Sequence, residues 1–280
     1  MKIIKNSNQL HEILGLLKKK GKTIGFVPTM GYLHEGHLSL VRQARSENDI
    51  VVVSIFVNPT QFGPKEDFKK YPRDFKRDRL LLSPEKVDYL FFPAQTSIYP
   101  NGFQGYIEPG PLARYLCGPK RPGHFRGVAT VVYRLFEIVQ PNRAYFGEKD
   151  FQQVKVIQAM VQKKKLRVRI KPCPIVREKD GLAMSSRNRY LSIVDRIRAR
   201  AIFQSLNLAK KLIRAGKKNP KQLKQALCAY LKPYVDKIDY VEFMDPEKLV
   251  PLKRLDPPIL IALACFVGPT RLIDNLVVKR

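Results

Sequence analysis

Short apolar runs alternate with helix-like spacing over the first 175 residues of the chain. The runs at 22–28 and 49–59 are rich in β-branched residues and close with proline, which is typical of strands. Between them, Leu38, Val41 and Ala44 recur at helical spacing. The pattern therefore predicts a β-α-β unit with parallel strands.

The alternation continues through three more strand-like runs, with helical patterns between them. We predict strands at 87–93, 143–147 and 167–176, and helices near 74–83, 126–139 and 150–163. Continued alternation favours an α/β fold, with a Rossmann-like doubly wound parallel sheet. We assign residues 1–175 to this domain.

The alternation is lost after a boundary that we place near Pro174–Arg177. Two consecutive helical patterns follow, and then three strand-like runs, without mixing. The helices are predicted at 192–216 and 219–234, and the strands at 239–245, 259–267 and 270–278. This order is typical of a smaller α+β domain, which we assign to residues 176–280.

The balance of charge is strongly basic, with 52 Lys and Arg against 24 Asp and Glu, a net charge of +28. Such a balance points to nucleic acid or to another acidic partner. The basic residues are scattered, however, and no nucleic-acid-binding motif accompanies them. We interpret them as a solvated basic surface and do not expect nucleic acid as a partner, although RNA binding by the basic C-terminal helices stays an alternative.

The apolar runs and the cysteines bear on the compartment. The longest uncharged apolar runs, Ile50–Val57 and Ile259–Val267, are well short of a membrane span, and polar residues interrupt the N-terminal segment. The 4 cysteines form no CxxC pair, which argues against a disulfide framework and against a thiolate zinc site. We expect a cytoplasmic protein without a membrane partner.

The segment PTMGYLHEGHLSL, residues 28–40, contains the first candidate chemistry. His34 and His37 are one helical turn apart where a strand gives way to a helix. A helix N-terminus presents free N–H groups that favour phosphate, and imidazoles can add donors. The alternatives are a surface pair beside a turn or, less favoured because only Glu35 is nearby as a third ligand, a metal site.

Two more clusters have a similar character. AYFGEKDFQQ (144–153) leads through glycine into a helix start, and REKDGLAMSSRNRYLS (177–192) places serines and arginine on a turn, with a helix N-cap as the alternative. Lysine and arginine bind phosphate, and a glutamine amide binds a hydroxyl or carboxylate. The candidate residues are Lys149, Asp150, Gln153, Ser185, Ser186 and Arg187.

Five segments in register carry a resemblance to a known family. The chain resembles the pantoate–β-alanine ligase (pantothenate synthetase) family in PTMGYLHEGHLSLV, SIFVNPTQFGPKEDFKKYPRD, GHFRGVATVV, FGEKDFQQ and DGLAMSSRNRYLS. Later segments, DYVEFMDPEKL and RLIDN, extend the likeness almost to the C-terminus. HEGH also resembles the His-x-Gly-His element of the wider nucleotidyltransferase superfamily.

The resemblance implies an enzyme with a two-step reaction. ATP and (R)-pantoate would give pantoyl adenylate and pyrophosphate, and β-alanine would then release AMP and pantothenate. The resemblance also implies magnesium with the ATP, no tightly bound organic cofactor, a homodimer, and a second domain that forms a lid over the site. A nucleotidyltransferase acting on another small acid or phosphate is the alternative, and the neutral Gln61 and Gln153 argue against a phosphorylated acceptor.

The resemblance further implies roles for individual residues. ATP would be bound by Met30, Gly31, Tyr32, Leu33, His34, Glu35, Gly36, His37, Gly147, Glu148, Lys149, Asp150, Val176, Met184, Ser185, Ser186 and Arg187. Pantoate would be bound by Gln61 and Gln153, and β-alanine by Gln61. The catalytic residues would be His37, His34, Lys149 and Arg187, with His37 as a proton donor. Because carboxylate attack on phosphorus requires no proton transfer, we expect charge stabilisation by His37, Lys149 and Arg187 to contribute more than general acid catalysis.

The chain departs from the family after its YPR element. Relatives have an acidic pair there, whereas this chain has Arg77 beside Asp78. Asp78 is the expected magnesium ligand, but the missing acid argues against a two-carboxylate site. Asp74 is either a substitute ligand, one helical turn before Asp78, or part of a solvated helix face. His124 and Arg126 look functional by motif, but the sequence gives them no role.

Overall fold

The computed structural model describes residues 1–64 and 66–279, which divide into two units. The first unit contains Met1–Pro111, Arg121–Glu148 and Gln153–Pro174. The second contains Leu112–Lys120, Lys149–Gln152 and the chain from Ile175 onward.

A parallel sheet forms the centre of the first unit. Its strands are β1 (Lys2–Ile4), β2 (Ile24–Thr29), β3 (Ile50–Ile55), β4 (Tyr89–Phe91), β5 (Arg143–Gly147) and β6 (Arg169–Cys173). Their order is β1-β4-β3-β2-β5-β6, and every neighbouring pair is parallel. The predicted doubly wound α/β architecture is therefore confirmed.

Helices connect the strands and continue into the second unit. They are α1 (Ser7–Lys19), α2 (Glu35–Glu47), α3 (Phe75–Leu82), α4 (Gln95–Ile98), α5 (Cys117–Lys120), α6 (His124–Val139), α7 (Phe151–Lys163), α8 (Ile193–Arg198), α9 (Arg200–Arg214) and α10 (Pro220–Leu231). Within the described ranges, none combines the length and the apolar character needed to cross a bilayer.

Three strands of the second unit form an antiparallel sheet. They are β7 (Lys237–Met244), β8 (Ile259–Val267) and β9 (Thr270–Val278), with β8 in the middle. Alternate residues of β8 belong to two apolar clusters, one with Leu206 and Leu227 of the helices and one with Leu116. Because both faces are covered, β8 reads as a continuous apolar run. The predicted α+β character of this part is confirmed.

Several local features differ from the sequence pattern, among them α1, which was not predicted. The edge strand β1 was not predicted, because three residues are too few to show alternation. The last parallel strand is shorter than predicted and contains Pro172, which an edge strand tolerates. The helix predicted over 192–216 is broken at Ala199, so α8 and α9 are separate helices.

Two short segments before residue 175 group with the second unit, although the sequence pattern assigned them to the first domain. Asn275 of β9 donates to the Lys149 carbonyl, and the side chain of Gln152 joins the two segments to each other. Its Oε1 accepts the Cys117 N–H at 3.0 Å, and its Nε2 donates to the carbonyls of Leu112 and Tyr115 at 2.9 and 2.7 Å. These bonds join positions far apart in sequence, so local periodicity does not reveal them.

A glycine allows close packing between α6 and the 3₁₀ turn Pro59–Gln61. A Cβ at Gly127 would lie 2.3 Å from the carbonyl oxygen of Thr60. The Asn58 Nδ2 also donates to the Gly127 carbonyl at 3.2 Å. The backbones of the turn and the helix are therefore in direct contact, and there is no room for a side chain at Gly127.

We predict that Gly127→Ala destabilises the protein by about 1–3 kcal/mol, because the turn has to move away from α6. The measurement is the midpoint of thermal unfolding. Gly15→Ala is the control, since a Cβ there meets no atom within 4 Å and α1 gains helix propensity. Equal midpoints for the two variants would contradict the packing account.

Candidate active site

The strand order directs attention to the carboxyl end of β2. From β2 the sheet extends through β3 to β4 on one side and through β5 to β6 on the other. Open α/β sheets bind ligands outside the carboxyl ends of strands where the order reverses in this way. Residues 30–37 follow β2, and Gly147 closes β5.

His34 and His37 close the N-terminus of α2. His34 is the N-cap residue, and its Nδ1 accepts the Gly36 N–H at 3.1 Å. The Nδ1 of His37 accepts the His34 N–H at 3.3 Å, which completes a reciprocal capping box. The two ring centroids are 4.1 Å apart. The structure thus brings the predicted pair together, with His34 just before the helix rather than inside it.

The capping bonds determine which ring nitrogen carries the proton. A backbone N–H can only donate, so Nδ1 of each histidine has to offer its lone pair. In the neutral ring the proton is then on Nε2, and a proton added at Nδ1 would break the cap. His34 and His37 are therefore neutral Nε2–H hydrogen-bond donors in this geometry.

A buried carboxylate holds the loop before α2. Asp78 Oδ2 and Oδ1 accept the N–H groups of Tyr32 and Leu33, both at 2.7 Å. Gly31 and Tyr32 have positive φ angles of 78° and 49°, and a Cβ at Gly31 would lie 3.0 Å from Asp78 Oδ2. Burial raises the pKa of Asp78, while the two N–H donors oppose that shift.

Arg77 supports the same loop from its other side. Its Nη1 donates to the Leu33 carbonyl at 2.9 Å, and its guanidinium lies over the Tyr32 ring at 4.8 Å. Arg77 and Asp78 therefore bind the loop's carbonyl and N–H groups together. The arginine that departs from the family pattern has a structural partner in this chain.

The amide of Gln61 has a fixed orientation. Its Oε1 accepts the Asn58 Nδ2 at 3.0 Å, and its Nε2 is 3.1 Å from the Met30 sulfur. Asn58 is itself held, since its Oδ1 accepts the Tyr99 hydroxyl at 2.8 Å. An amide nitrogen has a second N–H, which can donate to a carboxylate or hydroxyl.

A cavity of about 280 Å³ opens in the first unit beside the loop. Met30, Gly31 and Asp78 line it together with aromatic side chains that include Phe56 and Phe92. A small, largely apolar cavity with few polar groups is typical of a site for a small organic molecule.

The first unit also contains Gly147, Glu148 and Gln153. A Cβ at Gly147 would meet no atom within 4 Å. Gln153 is half-buried near the start of α7. Glu35, a further predicted ATP contact, is instead half-exposed and paired with Arg42 on the surface.

In the second unit, the backbone at Lys149 is fixed by β9. Asn275 Nδ2 donates to the Lys149 carbonyl at 2.9 Å, and the Lys149 ammonium is 3.8 Å from Asp150. The adjacent Asp274 is buried and accepts two hydrogen bonds from Arg177, at 2.7 and 3.0 Å. Burial raises the pKa of Asp274, and Arg177 opposes that shift.

The serine and arginine turn is also in the second unit. The Met184 N–H donates to the Val176 carbonyl at 3.0 Å, so these two predicted ATP contacts are backbone partners. Ser185 caps a 3₁₀ helix by accepting the Arg187 N–H at 3.3 Å, and Ser186 is buried. The N-cap alternative concerned the helix after this turn, and there Ser192 caps α8 by accepting the Asp195 N–H at 3.1 Å.

His124 and Arg126 both lie on α6 but have different contacts. His124 contacts the Gln61 carbonyl through Nδ1 at 2.9 Å. Arg126 forms an exposed pair with Glu108 at 2.8 Å and lies over Tyr106. Their shared motif therefore hides two different environments.

The residues do not fit a resident magnesium site. No group of three His, Cys, Asp or Glu residues suited to a metal occurs in the described part of the chain. Both oxygens of Asp78 accept backbone N–H groups, and Asp74 Oδ1 caps α3 by accepting the Arg77 N–H at 3.0 Å. Asp78 as a metal ligand stays a prediction that this geometry does not favour.

Sequence reasoning missed the residues that hold the candidates in place. Asn58, Arg121 and Asn275 donate to the backbone or side chain of Gln61 or Lys149. Asn58 and Asn275 do lie within the family-like segments NPTQFG and RLIDN, which was the available signal. Their partners, however, follow only from the tertiary structure.

The comparisons with known proteins identify the family of the chain. A family model for pantoate–β-alanine ligase matches residues 2–277. A pantothenate synthetase of Caldicellulosiruptor saccharolyticus is 54% identical over 280 residues, with 100% of both chains covered. One from Thermotoga petrophila is 53% identical over 278 residues, which covers 99% of each chain.

Solved structures give the same result. The crystal structure of pantothenate synthetase from Thermus thermophilus matches with a TM-score of 0.94 and 44% identity over 100% of both chains. Pantoate–β-alanine ligase from Francisella tularensis, complexed with βγ ATP and β-alanine, matches with a TM-score of 0.82 and 39% identity, covering 99% of this chain and 97% of that one.

The doubly wound sheet and the donor-rich start of α2 define a nucleotide-binding α/β enzyme. Within that class, the chain belongs to the pantoate–β-alanine ligase family. It is a ligase of the kind that joins carbon to nitrogen, and its family supports the formation of pantothenate.

We predict that Asp78→Asn destabilises the protein by about 1–3 kcal/mol without any metal present, because one backbone N–H loses its buried acceptor. The measurement is thermal unfolding in a chelator. Asp74→Asn is the matched control, since asparagine also caps a helix. A normal midpoint for Asp78→Asn, with a weaker dependence of activity on magnesium, would support the metal-ligand role instead.

Proposed function

We propose that the protein condenses (R)-pantoate with β-alanine through a pantoyl adenylate, converting ATP to AMP and pyrophosphate. The observation that carries the proposal is the pair of Nε2–H donors that the capping of α2 creates. The Francisella relative, described as complexed with βγ ATP and β-alanine, supports ATP and β-alanine as substrates.

In the first step, a pantoate carboxylate oxygen attacks the α-phosphorus of ATP. The bond from that phosphorus to the bridging oxygen breaks, and its electron pair leaves with pyrophosphate. No proton is transferred, so the requirement is for groups that stabilise developing negative charge. Neutral His34 and His37 are suited to this as hydrogen-bond donors rather than as acids, and Lys149 and Arg187 would add positive charge.

In the second step, the amine of β-alanine attacks the acyl carbon of the adenylate. The carbon–oxygen bond to AMP breaks, an amide bond forms, and the nitrogen loses a proton. Adenylylation makes this possible, because a free carboxylate would have to expel oxide.

The remaining assignments follow the resemblance and the geometry. Gln61 and Gln153 would bind pantoate, and Gln61 would also bind β-alanine. Neutral amides suit a dihydroxy acid, whereas a phosphorylated acceptor favours arginine or lysine. The proposed ATP contacts are residues 30–37, 147–150, 176 and 184–187.

Magnesium enters the proposal as part of the ATP substrate, since the described residues offer no fitting resident site. The cytoplasm is the proposed compartment because it supplies ATP, and the four cysteines are unpaired thiols, as its reducing conditions require.

The first test is exchange of labelled pyrophosphate into ATP with magnesium and (R)-pantoate, without β-alanine. We expect exchange only when pantoate is present, and pantothenate once β-alanine is added. ATP binding without pantoate-dependent exchange would overturn the substrate assignment.

We predict that His34→Asn separates capping from catalysis. Asparagine is a good N-cap, so the free energy of unfolding should stay within about 0.5 kcal/mol of the wild-type value. The rate of pyrophosphate exchange should fall roughly a hundredfold, because the imidazole donor is lost.

We expect His37→Ala to reduce the rate of exchange by about a hundredfold to a thousandfold. Exchange within threefold of the wild-type rate for either variant would contradict its catalytic role.

A further inference from the structure

A chain of hydrogen bonds in the first unit connects Glu66 to the backbone of Gln61. Arg121 binds Glu66 with both ends of its fork, Nε to Oε1 at 2.7 Å and Nη2 to Oε2 at 2.6 Å. The two side chains are only 15% and 24% exposed. Burial raises the pKa of Glu66, but the surrounding groups, chiefly Arg121, together lower it more, so the net shift is downward and the pair is ionised at neutral pH.

The next member of the chain is His124, whose protonation state the geometry determines. Arg121 Nη1 is 3.0 Å from His124 Nε2. Guanidinium is always a donor, so Nε2 has to accept. The proton of the neutral ring is then on Nδ1, which donates to the Gln61 carbonyl at 2.9 Å.

Gln61 is therefore held at both ends. Arg121 Nη2 is 3.4 Å from its carbonyl, as a second donor beside His124. Asn58 and Met30 bind its side-chain amide. Its turn also rests against Gly127, one helical turn after His124.

We propose that Glu66, Arg121 and His124 form a positioning unit that places Gln61 for the acid substrate. The inference rests on the proposed function, in which Gln61 binds pantoate. The Glu66 charge orients and neutralises Arg121, Arg121 keeps the proton of His124 on Nδ1, and His124 fixes the Gln61 carbonyl. None of the three is assigned contact with the reacting atoms.

Two amide variants of His124 distinguish donation to Gln61 from contact with Arg121. The amide nitrogen of asparagine reaches the place of Nδ1, so His124→Asn retains the donor to Gln61. The amide oxygen of glutamine reaches the place of Nε2, so His124→Gln retains the acceptor for Arg121 only. A role in general packing predicts the opposite order, because glutamine is closer to histidine in volume than asparagine is.

The experiment measures pantoate-dependent pyrophosphate exchange for both variants and for His124→Ala. We expect the KM for pantoate to rise about tenfold in His124→Gln and His124→Ala, the loss of roughly one hydrogen bond, with the KM for ATP unchanged. His124→Asn should stay within about threefold of wild type. Glu137→Gln, which breaks the Arg134 pair on the same helix, is the control and should match wild type.

Equal KM values for pantoate in His124→Asn and His124→Gln, or parallel rises for ATP, would overturn the proposal. If the wild type shows no pantoate-dependent exchange, the proposed function fails, and the positioning unit is tested by the ¹³C resonance of the Gln61 carbonyl. That resonance should move in His124→Gln and stay in place in His124→Asn; an unmoved resonance in both would overturn the positioning unit itself.

Discussion

The chemistry of the site depends on the hydrogen bonds that close the N-terminus of α2. A helix start has unpaired N–H groups, and in this chain two imidazoles satisfy the donors of Gly36 and His34. That choice of cap has a chemical consequence, since it commits Nδ1 of each ring to the backbone and leaves the proton on Nε2. The same two hydrogen bonds thus determine the stability of the helix start and the protonation of the proposed catalytic groups.

The cap in turn requires the loop before it. Gly31 and Tyr32 occupy the left-handed region, which is unfavourable for tyrosine. Asp78 and Arg77, adjacent on α3, compensate by binding the N–H groups of Tyr32 and Leu33 and the Leu33 carbonyl. His124 does similar work for Gln61 through its carbonyl. In both places, hydrogen bonds to the backbone position a residue that has a proposed substrate contact.

The sequence predicted what depends on local pattern. Alternation located β2 to β6 of the parallel sheet but not the three-residue β1, and the unbroken apolar run of β8 was recognised because both of its faces are buried. The sequence also indicated the histidine pair at the N-terminus of a helix. Periodicity and motif spacing did not reveal the hydrogen bonds of Gln152, Asp78 and His124, because their partners are tens of residues away in the sequence.

The tautomers of the histidines give the most direct test of the capping hydrogen bonds at α2. The chain has 4 histidines, and long-range ¹⁵N NMR of the imidazoles reports which nitrogen of each is protonated. We predict Nε2–H for His34 and His37 at neutral pH. For His124, and for His11, whose Nδ1 is 3.0 Å from the Ile138 carbonyl, we predict Nδ1–H. Protonation of Nδ1 in His34 or His37 would contradict this assignment, because that ring could not accept the backbone N–H that it caps.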